Sequence, residues 1–147
     1  MAELRVRALQ NADRAAWERL WRAYLAFYGT TLDEGVFDVY FERLLSQDPH
    51  EFNGIVAEVD GELVGLVHFL YHRHGWSIEN VCYLQDLFVD ESRRGTGLGR
   101  ALIEAVYKDA DACGVSNVYW LTQDFNTTAR QLYDRIARKT DFIKYSR

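Results

Sequence analysis

Several things are scarce in this chain. Proline occurs once, at Pro49, and cysteine only at Cys82 and Cys113. The cysteines have no metal-type spacing, so the expectation is a pair of reduced thiols in the cytoplasm. Positive charge is in deficit, with 17 Lys and Arg against 22 Asp and Glu, a net −5. That balance argues against nonspecific binding to nucleic acid and suits a cationic amine partner. No run of 18 apolar residues exists, so no membrane-crossing helix is expected. Arg5, Arg7 and Asp13 interrupt the start where a signal peptide would need an apolar stretch. Repeats, low-complexity tracts and internal linkers are missing too, so residues 1–147 read as a single domain. What the chain does hold is 48% hydrophobic and 14% aromatic residues, ample for a core.

The patterning divides this material into elements. Leu4 to Leu9 alternates with period two, as a strand does. Asn11 or Asp13 can cap a helix whose stripe is Trp17, Leu20, Trp21, Tyr24, Leu25 and Tyr28, ended by Gly29. Thr31-Leu32-Asp33-Glu34 has the form of a capping box and predicts a second helix with Phe37, Tyr40, Phe41, Leu44 and Leu45 on one face. Ile55–Val59 and Leu63–Val67 flank Asp60-Gly61, a hairpin signal, and the later strand extends to His72. A fourth strand spans about Val81 to Val89. A helix then buries Leu98, Leu102, Ala105, Val106 and Cys113 and carries Arg100, Glu104 and Lys108 outside. Val118–Leu121 reads as a strand, Asn126 to about Lys139 as a helix, and Phe142–Tyr145 as a last strand. The order βααβββαβαβ describes an α/β protein with a mixed sheet and helices on both faces. The antiparallel hairpin argues against an all-parallel, doubly wound sheet.

Arg94-Gly95-Thr96-Gly97-Leu98-Gly99-Arg100 lies between the fourth strand and its helix. Glycines spaced by one residue let backbone approach a ligand, and amides at a helix start favour an anion. With the two arginines, the segment reads as a pyrophosphate cradle. It is not a P-loop, because Gly-Lys-Ser/Thr is absent, and a dinucleotide fingerprint needs two residues between its second and third glycines. The pattern Arg94-x-x-Gly97-x-Gly99 resembles the acetyl-CoA loop of the GNAT superfamily of N-acetyltransferases. Leu84–Val89 looks like the strand before that loop. Asn126-Thr-Thr-Ala-Arg-Gln-Leu-Tyr133 looks like the later Asn…Ala…Leu-Tyr helix. The nearest branch in pattern holds the diamine acetyltransferases and the histone and D-amino-acid acetyltransferases.

The resemblance implies a GNAT fold with six to seven strands, acetyl-CoA as co-substrate, no metal, and direct acetyl transfer to a primary amine. The acceptor would be a small amine, amino acid, polyamine or lysine side chain. It also implies a homodimer. Leu87, Phe88 and Val89 would offer main-chain hydrogen bonds to the pantetheine and acetyl groups. Arg94 to Arg100 would hold the pyrophosphate, Asn126 the pantetheine arm, and Tyr133 would protonate the departing thiolate. Tyr28 stands where the diamine enzymes have a tyrosine for substrate, and Tyr119 and Trp120, on the fifth strand, would either wall the acceptor cleft or pack in the sheet core. Gln85 stands where the diamine enzymes have a proton-relaying glutamate, and an amide cannot take that proton. Gly29 stands where they have an acidic residue for substrate, which weakens a polyamine assignment. Asp86 is adjacent to Gln85, but strand alternation turns it to the other face unless a bulge intervenes. His72 and His74 are alternative bases. His72-x-His74 lacks metal-ligand partners and reads as solvated loop chemistry. Besides this enzyme, two readings stand: a non-catalytic acyl-CoA-binding module, and a transferase for another acyl group such as succinyl.

Overall fold

The computed structural model describes residues 3–147. In chain order they form β1 (Leu4–Ala8), α1 (Arg14–Phe27), α2 (Glu34–Leu44), β2 (Asn53–Val59), β3 (Glu62–His72), β4 (Val81–Val89), α3 (Leu98–Ala112), β5 (Val118–Tyr119) and α4 (Thr127–Ile136). The sheet has five strands in the order β1-β2-β3-β4-β5. Strands β1 to β4 pair antiparallel, whereas β5 runs parallel to β4. The β2–β3 hairpin turns on Asp60 (φ 51°) and Gly61 (φ 83°), the positive pair that a tight hairpin turn demands.

Helices cover both faces. On one, α3 packs Leu102, Ile103 and Val106 against Val64, Val67, Phe69, Cys82 and Leu84. On the other, Trp17, Leu20 and Trp21 of α1 and Phe37 and Phe41 of α2 pack against Val56, Leu66 and Phe88. The apolar stripes of the two N-terminal helices thus meet the sheet as their spacing predicts.

Four expectations give way. The sheet has five strands rather than six to seven, because Phe142–Tyr145 is exposed and joins no ladder. The strand expected at Val118–Leu121 is only two residues long, β5, and offers almost no edge to pair with. The capping box at Thr31 does not form: α2 begins after Asp33, whose side chain makes no cap bond. Cys113 is exposed, since it is the residue that ends α3.

Two irregularities shape the centre of the sheet. Strand β5 pairs with β4 only at Cys82–Val118 and Tyr83–Tyr119. Beyond Tyr83 the ladder ends with β5, a gap in the pairing that leaves the β4 edge on that side without a partner from Leu84 to Val89. The second irregularity is a β-bulge. His68 pairs with Asp86 and Phe69 with Leu84, so Gln85 is the unpaired extra residue. One extra residue reverses the alternation that follows it. Leu84 packs on the α3 side, while Asp86 contacts Tyr40 of α2 and Phe88 packs on the α1–α2 side.

Candidate active site

The glycine segment ends in an open turn. Gly95 and Gly97 have φ of +79° and +85°, where a side chain is strained, and the space a Cβ would fill is empty at both. Gly97 precedes α3, and the first helical bond runs from Ala101 N–H to Gly97 carbonyl at 3.0 Å. The amides of Leu98, Gly99 and Arg100 therefore come before any helical partner and present a positive dipole end. Gly99 would tolerate a Cβ, which would touch only Leu132 at 3.6 Å. Leu98 is buried beneath the turn and contributes main chain alone. The Thr96 hydroxyl is spent locally on the Arg93 carbonyl. Arg100 pairs with Glu104 at 2.8 Å on the exposed helix face. Arg94 folds back: its Nε donates to the Val89 carbonyl at 3.2 Å, and its guanidinium lies over Phe27 and Phe88 at 5.1 and 5.4 Å. An open, cationic turn at a helix start fits a pyrophosphate.

Tyr133 lies on α4 beside the gap between β4 and β5. Its ring meets Trp120 edge-on at 5.4 Å, and burial, with Tyr28 nearby, pushes its pKa up to about 12. It therefore keeps its proton through neutral pH. Asn126 stands at the start of α4 but makes no capping bond, so its amide is free for another partner. Trp120 and Tyr119, expected as cleft wall or sheet core, are split by the pleat. Trp120 packs with Tyr107 and Tyr133 on the α3 side, whereas Tyr119 packs against Tyr83 at 4.8 Å, tilted by 30°, and bonds His72 Nε2 at 2.7 Å.

The opposite face carries a polar cluster that the alternation rule hides. Asp86 is 4% exposed, His68 1% and Trp17 0%. Asp86 Oδ2 accepts from the Tyr40 hydroxyl at 2.6 Å and bonds His68 Nδ1 at 2.9 Å. Tyr24 also stands within hydrogen-bonding reach of the Asp86 carboxylate. Tyr24, Tyr28, Tyr40 and Tyr83 gather round this carboxylate; burial first and then the negative charge raise the pKa of each. Tyr28 also feels Arg94 and lies near Tyr133, so it links the Asp86 cluster to the α4 side. Asp86 and Gln85 border an open cavity of about 730 Å³, lined also by Trp21, Tyr40 and Phe52 and by Val36, Val39 and Arg43 of α2. Cavities of that size hold small molecules. His74 sits apart in an exposed loop against Trp76. The sequence carried one sign of the cluster, a histidine in an otherwise apolar strand.

A glycine turn between a strand and a helix, next to a gap in the sheet, is the architecture of an acyl-CoA-dependent N-acetyltransferase. Residues 16–137 match the model of the Acetyltransferase (GNAT) family, and the chain belongs to that family. It is similar to the D-amino-acid N-acetyltransferase HPA3 of Saccharomyces cerevisiae, at 36% identity over 97% of this chain and 89% of that protein. Among solved structures it resembles a ribosomal-protein-alanine N-acetyltransferase from Brucella melitensis biovar Abortus, with a TM-score of 0.77, 25% identity and 98% of each chain covered. The aminoglycoside enzyme AAC(6')-Iy, solved with a CoA-linked bisubstrate analogue, shares the fold at a TM-score of 0.86 and 19% identity, over 99% of this chain and 97% of that one. Among the described residues, no group of His, Cys, Asp and Glu could hold a metal ion.

Proposed function

We propose that the protein transfers the acetyl group of acetyl-CoA directly to the primary amine of a small molecule, with amino acids the foremost class. The Arg94–Arg100 turn holds the pyrophosphate, and the free β4 edge at Leu87–Val89 takes the pantetheine arm together with Asn126. The acceptor enters the cavity beside Gln85, with Tyr28 and Tyr119 on its flanks. Its ammonium meets the Asp86 carboxylate among the tyrosine faces, which favour a cation. A proton leaves the ammonium for that carboxylate and the water it touches. The freed nitrogen attacks the thioester carbonyl, the C–N bond forms, and the C–S bond breaks. Tyr133 protonates the departing thiolate, and the amide nitrogen loses its second proton. The products are an N-acetyl compound, CoA and one released proton.

The observation that carries this reading is the bulge at Gln85, which turns Asp86 to the face that holds Tyr24, Tyr28 and Tyr40. The glutamate missing at position 85 is thereby replaced by a carboxylate one residue on. Amino acids come first because the yeast relative is described as acting on them and because Gly29 lacks the acid of the diamine pattern. Turnover across amino acids of both hands, polyamines and lysine peptides tests the class. Asp86→Asn should lower kcat/KM for the amine by roughly 10³-fold while leaving acetyl-CoA affinity intact, within the usual range for a lost acid–base group. A folded variant with unchanged kcat/KM would remove Asp86 from the reaction.

A further inference from the structure

We propose that Trp17 and His68 are positioning residues for Asp86, and that they fix the orientation in which its carboxylate meets the substrate amine. The inference rests on Asp86 being the group that receives the amine. An indole N–H can only donate. Trp17 Nε1 lies 3.0 Å from His68 Nε2, so that ring nitrogen accepts and the ring proton belongs on Nδ1. Nδ1–H then donates to Asp86 Oδ2 at 2.9 Å, the same oxygen that Tyr40 reaches at 2.6 Å. Both donors converge on Oδ2, which fixes the plane of the carboxylate, and Tyr24 stands within hydrogen-bonding reach of the same group, which borders the cavity.

The surroundings make this arrangement rigid. The His68 ring is enclosed by Trp17, Trp21 and Tyr40 at centroid distances of 6.1, 5.4 and 4.9 Å. The charged or titratable groups near it are Asp86 of β4, Tyr40 of α2 and, around the carboxylate, Tyr24, Tyr28 and Tyr83. Burying an indole, an imidazole and a carboxylate costs stability unless each polar atom is met. Here the only polar atom of Trp17 and both nitrogens of His68 are met by one another and by Asp86. A core built for packing alone would fill these positions with apolar side chains. The indole also fixes the tautomer: without it, the imidazole proton can move to Nε2, and Nδ1 then repels the carboxylate it now holds.

The experiment compares His68→Leu, His68→Gln and Trp17→Phe with Asp86→Asn. Each is checked for folding by circular dichroism and for acetyl-CoA affinity by calorimetry. His68→Leu should lower kcat/KM for the amine by roughly 10²-fold, the scale of an ångström-sized misplacement. The loss should appear in kcat, with acetyl-CoA binding unchanged. In His68→Gln the side-chain carbonyl can accept from Trp17 and the amide can donate to Asp86, so most of the activity should return. Trp17→Phe should lose activity in the wild-type background and add nothing to His68→Leu. Should His68→Leu fail to fold, Trp17→Phe alone decides by the same split between kcat and cofactor binding. If Asp86→Asn is impaired while His68→Leu or Trp17→Phe keeps full amine kcat/KM, the positioning role is overturned and the role of Asp86 stands. If Asp86→Asn is itself unimpaired, the underlying assignment of the amine site has failed. Equal losses in His68→Gln and His68→Leu would also overturn the proposal.

Discussion

Burial governs the protonation of Tyr133. With its pKa pushed up to about 12, the hydroxyl should stay protonated throughout the working range, so no basic limb of the kcat profile below pH 10 belongs to it. Tyr133→Phe should bind acetyl-CoA normally and lower kcat by roughly 10²-fold. Single-turnover chemistry at the wild-type rate in that variant would reduce Tyr133 to packing. Gln85 and Asp86 should respond in opposite ways. Because Gln85 is the exposed bulge residue at the cavity, Gln85→Glu should lower KM for a cationic amine with kcat little changed, as added attraction does. At this scale the spacing of the glycines shows the turn between β4 and α3, while the role of Tyr133 rests on resemblance alone. The side to which Asp86 turns was not legible, because a bulge is a matter of pairing between strands and leaves no mark in the residues of one strand. His68 gave a faint signal, but its partners come from α1 and β4, far apart in sequence.

Elements carry two further predictions. The turn before α3 holds Gly97 at φ +85°. Gly97→Val should therefore both strain the backbone and fill the cradle. Acetyl-CoA affinity should fall at least tenfold in a folded protein, and calorimetry measures it directly. The second prediction concerns how α1 is held over the sheet. Arg7 of β1 grips Asp13 through two bonds of 2.8 and 2.9 Å, with Glu58 of β2 at 3.2 Å. The Arg7 hydrogen bond holds the Asp13 carboxyl below its usual range despite burial. The unfolded chain then binds that proton more readily, so the contribution is present at neutral pH and is lost as pH falls below about 4. Asp13→Asn should cost about 3 kcal/mol at pH 7, and denaturant melts should show that gap shrinking toward pH 3. Helix positions were readable because an apolar stripe needs only its own period. The expected last strand failed for the opposite reason: Phe142-Ile-Lys-Tyr145 has a strand's composition, but a strand exists only with an edge to pair, and two residues of β5 do not supply one.

At the scale of the whole molecule, large apolar side chains remain in solvent: Trp76, Ile78, Phe125, Phe142, Ile143 and Tyr145 are each more than 70% exposed. These side chains offer a place to test the homodimer that the family resemblance implies. Light scattering should give a dimer mass, and Trp76→Ser with Phe142→Ser should move it toward the monomer; an unaltered dimer would place the interface elsewhere. The cluster around Asp86 sets function against endurance. Polar groups enclosed in a core stabilise it less than apolar ones of similar shape. Joint replacement by Leu at His68, Leu at Asp86 and Phe at Tyr40 should raise stability by about 2 kcal/mol, shown by a higher melting midpoint, and abolish turnover. Selection for heat resistance alone would therefore erase this centre first. A long-lived, silent protein is the expected yield of such a screen.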